Sequence, residues 1–460
     1  MVQYIKMKII FPENLKKLSD KCPSLYLVGG YVRNFLIDES VSDDIDIAAP
    51  SSTEEIKKAA EECGFKVVAE YKRTGTAVIY DGQRKYEYTR FRTDSYLRGG
   101  KHVPEKAEFT DDIVADALRR DFKCNAVYYD IKRDETVDPL SGVKDIKNKV
   151  LDTVRSPEEV FCSDGLRLMR LARFKAELCF SPAENVLNAA KKYADNIRDI
   201  SPERIFAELK KILVSDTKYP FSDKNGHYTG IKLLDETGVL DILFPEITAG
   251  RGMVQRSDFH KYDVLEHSLR TVLYAPSKVR LAALLHDCGK PYCKLRYGTF
   301  KGHAEEGEKI AREILGRLKA DGKTTEDVAF YVRFHMADLK NAEKESDIRL
   351  FIAENRDRIP PLLALKQADF SACKDDLSVC KTVEKWTAII NEMQSDGTPE
   401  TLKDLKISPQ TLMEIGFRKK QVGEELKRLF KFAVTRPRVN DGEILRAKAE
   451  EDYKSICNDT

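Results

Sequence analysis

The sequence lacks several features that would assign it to a special class of protein. None of its 460 residues lies in an apolar run of about 18, so we predict no transmembrane helix and no membrane partner. Its ten cysteines form no Cys-x-x-Cys pair, which argues against a zinc ribbon and a disulfide framework. The first residues lack the apolar core and small-residue cleavage site of a signal peptide. These absences predict a cytoplasmic protein in a reducing environment.

Strong net charge, internal repeats and low-complexity tracts are also missing. The formal net charge is only +2, so any RNA partner must meet local basic surfaces. Hydrophobic residues make up 42% of the chain, which is enough to build cores without disulfides. At about 100–200 residues per domain, the length predicts roughly three domains.

The pattern of predicted elements changes near residue 111. Before it strands mix with helices, and after it helix follows helix almost to the end. We therefore predict an α+β fold, with a small α/β head built on a mixed sheet with flanking helices, followed by a long all-α body. Three segments carry specific expectations: a lead-in helix in residues 1–24, a long mobile loop at 92–112, and one helix from Glu158 to Phe174.

One stretch near the N-terminus combines signals of a metal-bound triphosphate site. Gly29 and Gly30 follow a short apolar strand and begin a helix, so backbone N–H groups can approach phosphate oxygens. In the Asp-x-Asp motif that follows, Asp44 and Asp46 share one face of a strand. Two carboxylates at that spacing repel each other unless a cation such as magnesium lies between them. A tight turn and a solvated strand edge are the ordinary alternatives, but the order of the parts favours the site.

A third carboxylate is predicted on the strand at residues 85–91. Lys85, Glu87 and Thr89 share one face there, so Glu87 is a candidate to join the two aspartates. The alternative is a salt bridge from Glu87 to Lys85 or Lys72.

Two further clusters of charged residues are candidates for nucleotide contacts. Guanidinium groups bind phosphate, whereas Asp and Asn suit ribose hydroxyls and can lock the backbone, and one cluster ends a helix. Its members are Arg119, Arg120, Asp121 and Asn125. The other cluster spaces an Asp and two Arg every three residues on a helix, where an Asp–Arg pair can match the edge of a base. Its members are Asp164, Arg167, Arg170 and the neighbouring Arg173. A charged helix end and an intrahelical salt bridge are the alternatives.

These motifs resemble those of a known family. The ordered set GGYVRN, DDIDIA, RRDFKCNA, DPLSGVKDI, SDGLRLMRLARF and PERIFAELKKIL is similar to class II CCA-adding tRNA nucleotidyltransferases and bacterial poly(A) polymerases, over roughly residues 20–250. The resemblance implies a nucleotidyltransferase head that adds CCA to the 3′ end of tRNA from CTP and ATP without a nucleic-acid template, releasing pyrophosphate. An A-adding enzyme or a poly(A) polymerase of the same family is the alternative.

The resemblance also implies roles for individual residues. Two magnesium ions would be held at Asp44 and Asp46. The triphosphate turn would consist of Gly29, Gly30 and Arg33. The ribose and phosphate motif would consist of Arg119, Arg120, Asp121 and Asn125. Asp164 and Arg167 would pair with the incoming base, and Arg170 would contact the triphosphate. The loop at 92–112 matches the flexible loop that helps the switch from CTP to ATP, which enzymes that add only CC typically lack.

The sequence departs from the family pattern at a few positions. Asn34 stands where an Asp is usual, which would loosen a salt bridge at the helix start. Ser163 replaces the Glu that usually precedes Asp164 and helps fix the template residues, so base discrimination depends on what Ser163 does. Lys123 and Cys124 replace the usual Thr-Ile.

A later region has the ligand order of the HD phosphohydrolase superfamily, which it resembles. The expected ligands of a divalent metal are His267, His286, Asp287, His303, His335 and Asp369. Imidazole and carboxylate together suit a metal that activates water, here for 2′,3′-cyclic or 2′-phosphorylated ends. One alternative is an HD fold kept only as scaffold, and another is an HD phosphohydrolase whose head merely binds RNA.

The C-terminal tail is basic with interleaved aromatics and is predicted to bind tRNA through its phosphates. The candidates there are Lys419, Lys420, Lys427 and Arg428, with a solvated helix face as the alternative. The expected domains are a head at 1–150, a neck at 151–255, an HD-type domain at 256–375 and a tail at 376–460. We expect tRNA, ATP and CTP as partners and a monomer or homodimer.

Overall fold

The computed structural model describes residues 2–6, 8–22, 24–39, 44–95 and 106–458. The chain forms two compact units, one of residues 1–248 with 314–320 and one of residues 249–313 with 321–460. The predicted fold class is confirmed, with a mixed sheet near the N-terminus and helices in the rest of the chain. Among the described residues, no helix combines the length and apolar character needed to cross a bilayer. The division into four domains stays a prediction.

The strands all lie in the first unit. They are β1 (Gln3–Ile5), β2 (Tyr26–Val28), β3 (Ile45–Ala49), β4 (Lys66–Tyr71), β5 (Thr76–Tyr80), β6 (Lys85–Arg90), β7 (Arg92–Ser95), β8 (Lys106–Phe109), β9 (Tyr128–Asp130), β10 (Glu135–Asp138), β11 (Val150–Leu151) and β12 (Ser181–Pro182). Eight of them form one sheet in the order β1-β10-β9-β2-β3-β6-β5-β4. Within that sheet β3 runs parallel to β6 and the other neighbouring pairs are antiparallel.

Helices flank this sheet and continue beyond it. Those of the first unit are α1 (Glu13–Lys21), α2 (Gly30–Asp38), α3 (Thr53–Glu62), α4 (Ile113–Leu118), α5 (Gly142–Asn148), α6 (Pro157–Ser163), α7 (Leu166–Leu178), α8 (Glu184–Lys192), α9 (Pro202–Leu213), α10 (Gly226–Glu236), α11 (Val239–Leu243) and α12 (Pro245–Thr248). The start of α3 is a capping box, in which Ser52 and Glu55 satisfy each other's backbone N–H groups. Val28, Ala48 and Phe91 are buried in the core between sheet and helices.

Within the described residues, the second unit consists of helices joined by turns and loops and contains no strand. Its elements are α13 (Val264–Tyr274), α14 (Arg280–Leu285), α15 (Gly289–Tyr297), α16 (His303–Arg317), α17 (Gly322–Phe334), α18 (Glu345–Glu354), α19 (Ile359–Lys374), α20 (Lys381–Ser395), α21 (Pro409–Ile415), α22 (Lys419–Val434) and α23 (Gly442–Asn458). The last turns of α16 belong to the first unit. A separate apolar cluster that includes Leu412, Phe417 and Leu429 holds α21 to α23 together.

The prediction of a lead-in helix over residues 1–24 is wrong for its first part. Residues Gln3–Ile5 form β1, which pairs antiparallel with β10 at the sheet edge, and the helix covers only Glu13–Lys21. The sequence signal was weak because an edge strand of three residues has no visible alternation. Leu15 and Leu18 are buried on the helix as expected.

The prediction of a loop over residues 92–112 is wrong at both ends. Strands β7 and β8 form an antiparallel hairpin, with Arg92 opposite Phe109. Arg92 forms an ion pair with Asp94 at 2.9 Å and also donates to the carbonyl of Thr74, which fastens the hairpin to the neighbouring turn. Arg90 lies over the Phe109 ring at 4.4 Å. The centre of the predicted loop, residues 96–105, lies outside the described residues.

The single helix predicted from Glu158 to Phe174 is broken in two. Asp164 has extended backbone angles (φ −153°, ψ 105°) and its carboxylate accepts from the N–H of Leu166 at 2.9 Å, which starts the second helix. The next residue, Gly165, packs against the backbone of Asn196, where a Cβ would lie 2.2 Å from the carbonyl oxygen. Asp164 therefore does not share a helix face with Arg167, and the predicted three-residue spacing on one helix is wrong for it.

Candidate active site and metal centre

The glycine turn and the second aspartate lie against each other. Strands β2 and β3 are antiparallel with Val28 opposite Asp46, so the turn that follows β2 meets the Asp46 side chain. Gly29 has a φ of +74°, and a Cβ there would lie 2.9 Å from Asp46 Oδ2. Only glycine allows this close approach, which brings backbone N–H groups at the start of α2 next to a carboxylate.

Three carboxylates occupy this edge of the sheet. Asp46 and Glu87 are register partners on the parallel strands β3 and β6, and Asp44 is exposed just before β3. Burial raises the pKa of Asp46 to about 6, with Asp44 and Glu87 adding to the rise and Arg120 opposing it. The raised pKa means that the protein alone does not fully compensate the negative charge of the partly buried Asp46 carboxylate. These oxygen donors fit a hard cation such as magnesium.

The alternative salt bridge from Glu87 to Lys72 is not among the ion pairs of the described residues. Lys72 pairs instead with Glu54 at 2.9 Å. Groups of three or more ligand atoms within 4.8 Å of one another occur, in the described ranges, only in the second unit. Glu87 thus faces the same side as Asp46 without closing a compact three-carboxylate cluster.

In the metal-free protein, ionisation of Asp46 works against folding. Its pKa is about 6 in the fold against an ordinary value of 3.8, so the folded state holds the proton more tightly. We expect this group to lower the free energy of unfolding by roughly 2–3 kcal/mol as the pH rises through that window, and to have no further effect above it. Thermal melts of wild type and Asp46→Asn without magnesium measure the effect. A constant difference between the two across the window would contradict it.

Arg33 is held inside the head by two amides. Its Nη1 donates to Asn125 Oδ1 at 2.5 Å, while Nε and Nη2 donate to Asn34 Oδ1 at 3.1 and 2.9 Å. All three side chains are buried. Asn34 therefore keeps the orienting contact that an Asp would make. The charged Arg33 guanidinium donates to a neutral amide here, in place of a salt bridge.

Asp121 contacts both Asn125, the partner of Arg33, and Arg170 on α7. Its carboxylate accepts from Arg170 Nε at 2.7 Å and from Asn125 Nδ2 at 3.0 Å. Although burial opposes it, the Arg170 guanidinium holds the pKa of Asp121 well below its usual range. The sequence missed Phe174, whose ring lies under the guanidinium groups of Arg33 and Arg170 at 5.2 and 5.1 Å.

Arg119 and Arg120 are oriented by a residue that sequence reasoning also missed. Asp116 is fully buried and accepts from Arg119 Nε at 2.7 Å, Arg120 Nη2 at 3.2 Å and the Tyr128 hydroxyl at 2.6 Å. An Asp three and four residues before two arginines on a helix is the signal that would have found it. Arg173 is different, since it pairs with Glu208 at 2.6 Å and Glu177 at 3.2 Å.

Arg167 is fixed by its neighbours at the break between α6 and α7. Its Nη2 donates to the carbonyl of Arg119 at 2.8 Å, and its Nη1 donates to Ser163 Oγ at 3.1 Å. The Ser163 hydroxyl donates in turn to the Val160 carbonyl at 2.9 Å. The Arg167 Nε and Asp164 Oδ2 atoms are 3.9 Å apart, so the ion pair between the two side chains is loose. Ser163 thus supplies a contact that orients Arg167, although it is shorter than the usual Glu.

Replacing Ser163 by alanine removes this orienting contact. We expect Ser163→Ala to lower the free energy of unfolding by about 1 kcal/mol, because one partly buried hydrogen bond to a charged group is lost. We also expect it to weaken discrimination between nucleotides several-fold, measured as the ratio of kcat/KM for CTP and UTP. Ser156→Ala, which removes only a helix cap, is the control for stability. Unchanged discrimination would contradict the orienting role.

The second unit brings all six predicted HD ligands together. Asp287 Oδ2 lies 3.2 Å from His286 Nε2 and 3.5 Å from His267 Nε2, and Asp287 Oδ1 lies 3.3 Å from His303 Nε2 and 3.7 Å from His335 Nε2. Asp369 Oδ1 lies beside the first two of these histidines, at 2.9 Å from His267 Nε2. Asp287 therefore lies between two pairs of imidazoles and belongs to two overlapping ligand groups.

The backbone fixes the tautomer of three of these histidines. The Nδ1 atoms of His286, His303 and His335 face the carbonyls of Ala283, Phe300 and Val332 at 2.8, 2.9 and 2.7 Å. An Nδ1–H makes each of these contacts, so in the neutral form of each ring the lone pair is on Nε2, which points toward the centre. The Nε2 atoms of His303 and His335 lie 3.2 Å apart, so two neutral rings would place their lone pairs against each other unless a cation lies between them. The donors fit a divalent transition metal or magnesium.

Three further residues adjoin this centre that sequence reasoning did not assign. The Lys290 ammonium lies 2.6 Å from Asp287 Oδ2 and donates to Gln255 Oε1 at 2.7 Å. His260 packs its ring on His267, with centroids 4.9 Å apart, and Cys373 lies close to both. His260 is seven residues before His267, outside the spacing that marks the HD order.

The four basic residues predicted to bind tRNA are exposed on α22. Arg428 lies 3.8 Å from Glu425. The aromatic residues that flank them pack on the apolar cluster of the tail, with Phe417 buried in it and Phe430 partly buried against it.

Comparison with known proteins supports the motif assignment. Family models match for the poly A polymerase head domain at residues 25–152, the probable RNA and SrmB-binding site of polymerase A at 179–250, and the HD domain at 264–369. The A-adding tRNA nucleotidyltransferase of Deinococcus radiodurans is 31% identical over 369 residues, which is 76% of this chain and 77% of that protein. The CC-adding tRNA nucleotidyltransferase of Thermus thermophilus is 30% identical over 74% of this chain and 75% of that protein.

Matches to CCA-adding enzymes are shorter in sequence but extend over the whole fold. The Streptococcus gordonii enzyme is 33% identical over 53% of this chain and 56% of its own length. The crystal structure of the Bacillus stearothermophilus CCA-adding enzyme in complex with CTP aligns with a TM-score of 0.65 and 20% identity, covering 98% of this chain and 100% of that one. At that identity the structural match shows the fold.

The fold and the site define a nucleotidyltransferase head followed by RNA-binding and HD domains. The chain belongs to the family of tRNA nucleotidyltransferases and poly(A) polymerases. The resemblance drawn from the ordered motifs is confirmed.

Proposed function

We propose that the protein adds CCA to the 3′ end of tRNA, using CTP and ATP without a nucleic-acid template. The observation that carries the proposal is the contact between the glycine turn and Asp46, where a Cβ on Gly29 would lie 2.9 Å from the carboxylate. Because of this contact, backbone N–H groups that can bind phosphate lie beside a carboxylate that can bind a cation. The named activities of the relatives support the same reaction class.

Magnesium at Asp44 and Asp46, with Glu87 nearby, would neutralise charge on the triphosphate and on the leaving pyrophosphate. Backbone N–H groups at Gly29 and Gly30 bind phosphate oxygens at the start of α2. The remaining work of these residues is to hold the triphosphate and the tRNA end in line.

The guanidinium groups behind the turn are set before the nucleotide arrives. Asp121 orients Arg170, and Asn125 orients Arg33, while Phe174 supports both cations. A preorganised cation loses little freedom on binding a phosphate, so such groups contribute more than flexible surface arginines. Arg173 pairs with both Glu177 and Glu208, so its role is structural, and we propose no nucleotide contact for it.

Arg167 and Asp164 are the proposed base selector. Arg167 is anchored through Ser163 and through the carbonyl of Arg119, a residue of the ribose and phosphate motif. In this role the Asp164 carboxylate accepts from the base and the Arg167 guanidinium donates to it, and the two groups lie 3.9 Å apart. Because no nucleic-acid strand is required, the side chains themselves replace a template.

The second candidate is addition of A alone. It is favoured by the length of the match to the Deinococcus enzyme, which spans 76% of this chain, whereas the streptococcal CCA-adding match spans 53%. The site residues do not separate the two, because the same selector would serve either nucleotide.

Two tRNA substrates distinguish these functions. One ends at the discriminator base and the other already ends in CC, and each is incubated with CTP, ATP or both. For CCA addition, we expect the first substrate to be extended by CTP alone to CC and by both nucleotides to CCA. Extension of only the CC-ended substrate, and only with ATP, would show an A-adding enzyme. Long A tracts would show a poly(A) polymerase.

The HD centre supports a second, separate activity. We propose that His267, His286, Asp287, His303, His335 and Asp369 hold divalent metal. Such a metal would activate water for hydrolysis at phosphate ends. The convergence of four imidazole Nε2 atoms on Asp287 favours this over a scaffold that has lost its ligands. Hydrolysis of 2′,3′-cyclic phosphate ends to a phosphomonoester, or release of phosphate from 2′-phosphorylated ends, is expected and should be unaffected by Asp44→Ala. Neither reaction with any divalent metal would contradict the activity.

The tRNA body is proposed to bind through the exposed cations of α22, which meet phosphates without reading sequence. Lys419→Ala together with Lys420→Ala is expected to raise the KM for tRNA and leave the KM for CTP unchanged. Whether the protein is a monomer or a homodimer stays a prediction for solution measurement.

A further inference from the structure

A cluster of nitrogen and sulfur donors lies beside the HD centre but is not part of the ligand set described above. The candidate ligand atoms of His260, His267 and Cys373 all lie within 4.8 Å of one another. His267 is completely buried and the other two are partly buried. Only His267 is shared with the HD ligands.

Two nitrogens of this cluster have no hydrogen bond. The Nδ1 atoms of His260 and His267 are buried and neither finds a donor or acceptor among the described residues. The Cys373 thiol donates a hydrogen bond to the carbonyl of Asp369, one turn earlier on α19, at 3.4 Å. Leaving two buried nitrogens unsatisfied is costly, so a ligand that they can bind is favoured.

The chain fastens this cluster from both sides. The loop that carries His260 is tied to the end of α19, because the N–H of Lys261 donates to the Cys373 carbonyl at 2.8 Å. The Tyr262 hydroxyl also donates to Asp375, just beyond α19. The loop and the helix therefore hold His260 and Cys373 in a fixed relation.

We propose that His260, His267 and Cys373 form a site for a thiophilic divalent ion such as zinc, distinct from the HD centre and adjoining it. Imidazole and thiolate together select zinc or a similar soft ion over magnesium, and three protein ligands leave a position for water. When the sulfur coordinates, the S–H bond of Cys373 breaks, and when His267 binds one ion through each ring nitrogen its remaining N–H bond breaks as well; both protons leave to solvent. No oxidation or reduction is involved.

The side chains of this cluster can supply the donors that the ion needs. A neutral His260 imidazole has a lone pair to donate, and the Cys373 thiol becomes a thiolate when it binds the ion. The nearby Lys290 ammonium, which would repel a cation, is neutralised by Asp287 at 2.6 Å.

Cobalt and cadmium report on this site without any assay of activity. Both ions give a sulfur-to-metal charge-transfer band when a thiolate binds them, whereas the HD ligands contain no sulfur. The full-length protein, kept reduced and in excess magnesium, is titrated with each ion. Wild type is expected to show the band and to bind one equivalent more than Cys373→Ser.

Two variants complete the test. Cys293→Ser, which removes another buried thiol of the same unit, should keep the band and the full stoichiometry. His260→Gln changes a loop residue outside any helix and should weaken the band at least tenfold in apparent affinity, even if Cys373→Ser folds poorly. A band of equal strength in wild type, Cys373→Ser and His260→Gln would overturn the proposal, and so would the absence of any band in wild type. Neither result depends on the nucleotide-adding or hydrolytic activity.

Discussion

Asp46→Asn is expected to abolish nucleotide addition, with kcat falling about 10³-fold or more while the protein stays folded. The carboxylate faces the triphosphate turn, and an amide cannot hold magnesium there or balance the charge of the triphosphate. A 10³-fold loss corresponds to about 4 kcal/mol of lost transition-state stabilisation. Because the buried Asp46 charge is unfavourable without metal, the amide should not destabilise the fold. Incorporation of labelled CMP into tRNA measures the effect.

Two other carboxylates of the same sheet serve as comparisons. Glu87→Gln should reduce the rate less, roughly tenfold, because Glu87 faces the site from β6 without a compact cluster around it. Glu135→Gln, on β10 away from the turn, should leave the rate unchanged. A rate in Asp46→Asn within tenfold of wild type would contradict the assignment of the metal site.

Asp287→Asn is expected to remove divalent metal from the HD centre. Asp287 supplies both of its oxygens to the centre, one toward each pair of imidazoles, and an amide offers a single oxygen without charge. Even the loss of an outer partner of a metal ligand typically costs about 10- to 100-fold in affinity, so the loss of this shared ligand should cost at least about 10²-fold. Metal content after dialysis against manganese measures it.

The control for this variant is Asp327→Asn, a carboxylate on α17 that pairs with Arg358 at 3.0 Å away from the centre. Nucleotide addition should be normal in both variants, because the HD ligands lie in the second unit. Equal manganese content in Asp287→Asn and wild type would show that the histidines are a scaffold.

The sequence predicted those parts of the head whose residues lie close together along the chain. Gly29 and Asp46 are separated by a helix and a turn, and the apolar pattern predicted the strand before Gly29 and the strand of Asp46, whose pairing the structure then shows. The HD ligands were predicted from their order, and the structure places these side chains around Asp287 and Asp369 in the second unit. In both cases the position of a residue within its strand or helix determines which way its side chain points, and the local pattern predicts that position.

What the sequence did not predict depends on contacts made far along the chain. Asp164 lies at a helix break because Gly165 must approach the backbone of Asn196, and nothing near Asp164 reports that. Phe174 reads as an ordinary core residue until Arg33 and Arg170 are seen over its ring. The hairpin of β7 and β8 has no alternating apolar pattern and is held by polar contacts.

The unassigned donors beside the HD centre were missed for the same reason. His260 is in a loop and Cys373 is on a helix more than a hundred residues later, so no spacing rule joins them. His260 and Cys373 lie near His267 only because of the three-dimensional fold.

The most direct test of the central claim is the number of pyrophosphates released for each tRNA that lacks its 3′ end, with CTP and ATP both present. The account predicts three per tRNA, and close to none with Asp46→Asn. A single pyrophosphate, released only when the tRNA already ends in CC, would assign the protein to A addition. No pyrophosphate from either tRNA would contradict the claim that this head transfers nucleotides.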